Sequence, residues 1–161
     1  QVIISFAGPL AGFIFAFVVL LAVQLTGHDF GFGSLQHILQ TNQTREVLPI
    51  PLVGRYLAYF EPYASNVLNL IVWQLIYVNI IWGLVNLLPV YPLDGGRISR
   101  ELFTHRNSHG GIAQSLLLSF VVALALAGYF ALRQEFYTCL MFGYFAYANY
   151  QNLKMYRSYW R

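Results

Sequence analysis

The sequence predicts an all-α, polytopic membrane protein with about four transmembrane helices, one of them broken by prolines. Three observations carry that expectation. The 161-residue chain is 58% hydrophobic and only 9% charged, whereas soluble domains carry about 25% charged residues. Apolar stretches near the ~20 residues needed to cross a bilayer as helix recur along it. One of them runs straight into Pro89-Val-Tyr-Pro92-Leu-Asp94-Gly95-Gly96, where a membrane helix would otherwise simply end.

The first span is residues 2–25, VIISFAGPLAGFIFAFVVLLAVQL, and the second is residues 67–88, VLNLIVWQLIYVNIIWGLVNLL. The third is residues 112–132, IAQSLLLSFVVALALAGYFAL. Residues 136–150, FYTCLMFGYFAYANY, are shorter and rich in aromatics; they are taken as a fourth span in preference to an interfacial hairpin arm. Residues 1–161 read as a single membrane domain with no internal repeat. Gln1 is preceded by neither a Met nor a basic leader, so the chain is expected to be a fragment lacking its N-terminal part. The lone cysteine, Cys139, excludes an internal disulfide framework and reads as a small packing residue.

Between the first two spans lies a loop, residues 26–66, long enough to suggest a function of its own. It opens with Gly27, Gly31 and Gly33, and its LQHIL stretch suits a short amphipathic turn. Pro49 and Pro51 disfavour helix. Tyr56, Tyr59, Phe60 and Tyr63 suit an interfacial aromatic belt. The Asn42-Gln43-Thr44 triplet fits a glycosylation sequon, which is read as a chance match. The next loop, residues 95–111, is short, polar and basic, and residues 133–135 form a tight hairpin connection. The tail, residues 154–161, mixes aromatic and basic groups, as a headgroup anchor or a plain surface tail would.

The net charge of +3 is informative by position. With Gln1 on the cytoplasmic side, Arg97, Arg100, Arg106, Lys154, Arg157 and Arg161 share that side, against Arg45, Arg55 and Arg133 on the other. This excess supports the orientation under the positive-inside rule, making 26–66 an outer loop and 95–111 a cytoplasmic one. The basic groups flank apolar spans and form no single polar face, so no nucleic-acid partner is expected.

The chemistry concentrates at Asp94. Pro89 and Pro92 obstruct regular helix, and Gly95 and Gly96 permit sharp turns. Irregular backbone near membrane depth must be buried in protein or line a wet cavity. An ionisable group there is a functional candidate that needs a partner: Arg97, water or a metal ion. Equally, Asp94 suits the N-cap of a following helix, and composition alone leaves both readings open. Asn79 and Asn86 share one helix face and form a polar stripe toward Asp94, or serve as interhelical hydrogen-bonding groups.

The stretch Asn86-Leu-Leu-Pro89-Val-Tyr-Pro92-Leu-Asp94-Gly95-Gly96 resembles the second signature of the site-2 protease family of intramembrane zinc metalloproteases. Residues 5–12, SFAGPLAG, resemble that family's Ala-Gly-Pro stretch. The resemblance covers most of residues 1–100. It implies zinc as cofactor, Asp94 as a metal ligand and Asn86 as a holder of the extended substrate backbone. It also implies Gly95 and Gly96 as the turn, Pro89 and Pro92 as the helix break, and Ala7, Gly8 and Pro9 as a packing element. Gly12 stands where members often carry Asn, and Tyr91 where some have a further proline.

The larger departure is that no His-Glu-x-x-His occurs. His105 and His109 have the histidine spacing, but Arg106 replaces the glutamate and the stretch reads as solvated loop. His28 and His37 receive no catalytic role. The resemblance therefore implies the C-terminal part of a longer enzyme, inactive alone, with the catalytic glutamate supplied upstream. The implied substrate is a membrane protein or transmembrane peptide, cleaved near the cytoplasmic face of a bacterial inner membrane or plasma membrane. Two other functions fit the same spans. One is a non-catalytic membrane module for binding or assembly. The other is a small transporter component lined by Asn79, Asn86 and Asp94.

Overall fold

The computed structural model describes residues 2–34, 48–53, 56–106 and 110–159. The LQHIL stretch, His37, the Asn42 triplet, His109 and the last two residues of the tail lie outside the described residues. The elements run α1 (Val2–Leu25), β1 (Phe30–Ser34), β2 (Leu48–Val53), β3 (Tyr56–Phe60), α2 (Asn66–Asn86), α3 (Asp94–Arg106), α4 (Gly111–Leu132) and α5 (Phe136–Tyr159). Among the described residues, α1, α2 and α4 are long and apolar enough to cross a membrane. Their large apolar side chains lie exposed, as with Phe17, Trp82 and Leu124, an outer face suited to lipid. The chain is an integral membrane protein. The fourth expected span is indeed helical, but α5 continues to Tyr159 and absorbs most of the polar tail. It does not reach the apolar content of the other three.

The long loop is the main correction. It holds a three-stranded antiparallel sheet in the order β1-β3-β2. Pro49 and Pro51 fall on β2, an edge strand, where a missing N–H is tolerated. The register slips between Pro51 and Val53. Phe60 is a core residue, not part of an interfacial belt: it is fully buried with Ala58 against Leu20 and Val23 of α1 and Val72 and Ile76 of α2. Residues 61–65 lead the chain out of the sheet into α2. There the Asn69 amide clamps Tyr63, accepting from its N–H at 2.7 Å and donating to its carbonyl at 2.9 Å. The Tyr63 ring stacks on His28, their centroids 3.9 Å apart, and its hydroxyl lies 2.7 Å from Thr26 Oγ1. His28 is thus a packing residue.

The chain packs as two compact units, residues 9–84 and residues 1–8 with 85–161. The first is the α1–sheet–α2 assembly just described. The second is built on the α4–α5 hairpin. On α4 the buried positions Ser115, Ser119, Ala123 and Ala127 recur every fourth residue, placing small side chains on one face so that neighbouring helices approach closely. Ala123, Ala146 of α5 and the loop residue Val90 form one buried cluster, flanked by Leu88, Leu93 and Phe120.

The hairpin turn is made by the three residues 133–135. Gln134 has φ of 60°. Its N–H donates to the Ala131 carbonyl at 3.1 Å and the Glu135 N–H to the Phe130 carbonyl at 3.0 Å, the pairing that closes a helix through a left-handed residue. A side chain is strained in that conformation and glycine is not. Gln134→Gly is therefore expected to stabilise the protein by about 1 kcal/mol, read as a higher melting temperature in detergent. An unchanged or lower melting temperature would show that the turn is not under this strain.

Candidate functional site

The site is assembled around the loop that follows α2. The helix closes at Asn86, and residues 87–93 turn tightly: Leu88 N–H donates to the Val85 carbonyl, Val90 N–H to Leu88, and Leu93 N–H to Val90. Pro89 and Pro92 lie within this turn, and the Tyr91–Pro92 peptide bond is cis. Non-helical backbone beside a membrane-spanning helix needs partners from the protein. Tyr91 receives both from the hairpin. Its N–H donates to Ser119 Oγ on α4 at 3.1 Å, and its carbonyl accepts from Asn149 Nδ2 on α5 at 2.6 Å. Asn149 is fully buried and also donates to its own helix at the Phe145 carbonyl, 2.8 Å away. Between these bonds Val90, fully buried, fastens the loop to Ala123 and Ala146.

Asp94 opens α3. Residues 95–111 were expected as a loop, with a helix starting after Asp94 as the alternative; it is the helix that forms, over 13 residues from Asp94. Gly95 and Gly96 are poor helix formers, and what they contribute is space. A Cβ on Gly95 would overlap the carbonyls of Leu87 and Leu88, and one on Gly96 would overlap the backbone of Val90 and Tyr91. The first turn of α3 is thus pressed directly onto the loop. Arg97 N–H donates to the Leu93 carbonyl at 3.2 Å and Ser99 Oγ to the Gly95 carbonyl at 2.8 Å.

The Ala-Gly-Pro element meets this turn. Ala7, Gly8 and Pro9 are helical within α1, and a Cβ on Gly8 would lie 3.3 Å from Asp94 Oδ2. Glycine at position 8 therefore gives the carboxylate room beside α1. The half-buried carboxylate has no hydrogen bond or ion pair among the described residues, so neither helix capping nor Arg97 consumes it. Asn86 is half-buried at the last position of α2. Asn79 spends its amide N–H on its own helix, donating to the Leu75 carbonyl at 2.7 Å. His105 stands exposed in the last turn of α3.

A carboxylate suits one position on a zinc ion. A catalytic zinc needs about three protein ligands. Among the described residues, no three His, Cys, Asp or Glu side chains gather closely enough to hold a metal. Asp94 could supply at most one of those donors, and the described residues bring no two others beside it. Sequence reasoning missed Ser119 and Asn149, which hold the loop. The four-residue spacing of small residues on α4 was the signal available for Ser119; a lone Asn in an aromatic helix was the only one for Asn149.

The model of peptidase family M50 matches residues 1–128, a span that contains both the Ala-Gly-Pro element and the Asp94 turn. The chain belongs to peptidase family M50, the site-2 protease family. No curated protein and no solved structure matches it. Membership supports an intramembrane metalloprotease-type function at the level of the family.

The packing sorts substitutions by severity. Gly95→Ala and Gly96→Ala place a methyl onto backbone that cannot yield and are expected to cost about 3 kcal/mol or more. Gly8→Ala meets only the end of a side chain and should cost about 1 kcal/mol or less. Melting temperatures of the three variants in one detergent test this ranking. A Gly8 variant as unstable as the other two would contradict it. Asn149→Leu leaves the Tyr91 carbonyl unpaired and is expected to cost about 1–3 kcal/mol, measured the same way.

Proposed function

We propose that this chain carries the carboxylate ligand and part of the substrate-binding wall of an intramembrane zinc metallopeptidase of site-2 protease type. The histidine ligands and the general-base glutamate would come from residues outside these 161. The observation that carries this reading is the meeting of the two family elements, Gly8 against Asp94 Oδ2, at a carboxylate that no capping bond or ion pair engages among the described residues. When bound, zinc lowers the pKa of a coordinated water toward about 7 and polarises the scissile carbonyl.

The chain's own part is to hold and to position. The Tyr91 clamp keeps the loop fixed, and the packed first turn of α3 fixes the direction in which Asp94 leaves the backbone. Asn86, at the end of a membrane-spanning helix, would offer its amide to the backbone of an unwound substrate strand. A transmembrane substrate must expose its peptide groups to be cut, and such groups need partners inside a membrane. Cleavage would fall near the membrane face where α2 ends. That face is the cytoplasmic one if the basic excess around α3 and the end of α5 sets the orientation.

The test is Asp94→Asn in the enzyme carrying the full set of zinc ligands. Zinc content per protein, measured by elemental analysis, is expected to be largely lost, and cleavage of a transmembrane reporter to fall by about 100-fold or more, beyond what losing a residue that only supports a ligand costs. Unchanged zinc and cleavage would remove Asp94 from the metal. A protein with no bound zinc and no cleavage in either form would favour a non-catalytic membrane module.

A further inference from the structure

A cavity of about 600 Å³ lies in the α3–α5 unit, bounded by Ile4 and Ser5 of α1, Tyr91, Ile112 of α4, and the α3 face bearing Arg97, Arg100 and Glu101. Tyr91, Arg100 and Ile112 also wall a second cavity of about 280 Å³, which continues over Leu116 of α4 and Met155 of α5. The combined cleft is amphipathic in an ordered way. Its apolar walls come from the first turns of α1 and α4, two helices long and apolar enough to span. Its charges come from one face of α3, where Arg97 and Arg100 are three residues apart and Glu101 is four from Arg97, so all three project together. No ion pair joins them among the described residues.

We propose that this cleft binds one membrane phospholipid, the Arg97 and Arg100 guanidinium groups holding the phosphate diester and Glu101 accepting from a donor on the headgroup. The lining argues for lipid. Ile4 and Ile112 lie in the first turns of two helices long and apolar enough to span, and an apolar wall beside two guanidinium groups matches a molecule that joins an acyl chain to a phosphate. Arginine offers paired N–H groups that fit phosphate oxygens. Basic pockets between membrane helices are a recurrent way to hold a headgroup. Glu101 makes the site selective: a carboxylate beside the phosphate favours a headgroup that donates a hydrogen bond to it, as a hydroxyl or a primary ammonium does. Choline's quaternary ammonium carries the charge but has no N–H or O–H to donate. The site is distinct from the Asp94 carboxylate and does not depend on the protease reading.

Native mass spectrometry of the intact protein in detergent, titrated with phospholipids of matched acyl chains, tests the proposal. Ethanolamine and glycerol headgroups are expected to give a single saturable adduct, at least about tenfold tighter than the choline headgroup. Arg97→Gln with Arg100→Gln should weaken that adduct about tenfold or more. The corresponding double Lys variant, which keeps the charge and the fold, should lie between. Lys154→Gln, an exposed basic residue on the same unit, should change nothing. Choline lipid bound as tightly as the others, an Arg-to-Gln variant with wild-type affinity, or inorganic phosphate competing at concentrations comparable to the lipid would each overturn it.

Discussion

The structure of the site unit depends on how one peptide unit, that of Tyr91, is satisfied. A loop that leaves a membrane-spanning helix cannot rely on water for its N–H and C=O groups. Here the two groups of Tyr91 are taken by two different helices, Ser119 from one and Asn149 from the other. Each bond alone is worth little net stability, about 1 kcal/mol, but an unmade one in a buried place costs more. The loop therefore has a defined position only while α4 and α5 stand at the right separation. That separation is set by small residues, Ser115 through Ala127, and by the fully buried pair Ala123 and Val90.

From that anchor the geometry passes outward in steps. The loop's backbone forms the surface on which Gly95 and Gly96 sit, with no allowance for a side chain. Their contact fixes the first turn of α3, and the first turn fixes Asp94. Gly8 then decides how much room the carboxylate has beside α1. The carboxylate is thus placed by backbone contacts and absent side chains, with no hydrogen bond to it among the described residues.

The sequence made the broken helix readable because proline and glycine act through local sterics, which composition displays directly. Three spans were readable for a similar reason: lipid imposes a length and a polarity on any helix that crosses it. The sheet was not readable. Pro49 and Pro51 signal the absence of helix, yet on an edge strand they are compatible with a ladder, and only the neighbouring β3 reveals which applies. Helix α3 was readable only as an alternative, because Asp94 suits an N-cap while two glycines at its start argue against helix by propensity; tertiary contact at those same glycines favours it. Phe60 looked interfacial because aromatic residues cluster around it; whether a ring faces lipid headgroups or a core is decided by the fold of the whole segment. Ser119 and Asn149 carried almost no signal, since a single polar residue in an apolar helix does not name its partner.

The order of these parts along the chain bears on how the protein is made. A membrane protein is synthesised from its N-terminus, so Asp94 and its loop are complete before Ser119 exists, and well before Asn149. During that interval the peptide groups of Tyr91 lack both of their final partners. The fastening of the loop, made by Ser119 and Asn149, is therefore the last part of this unit that the emerging chain can complete.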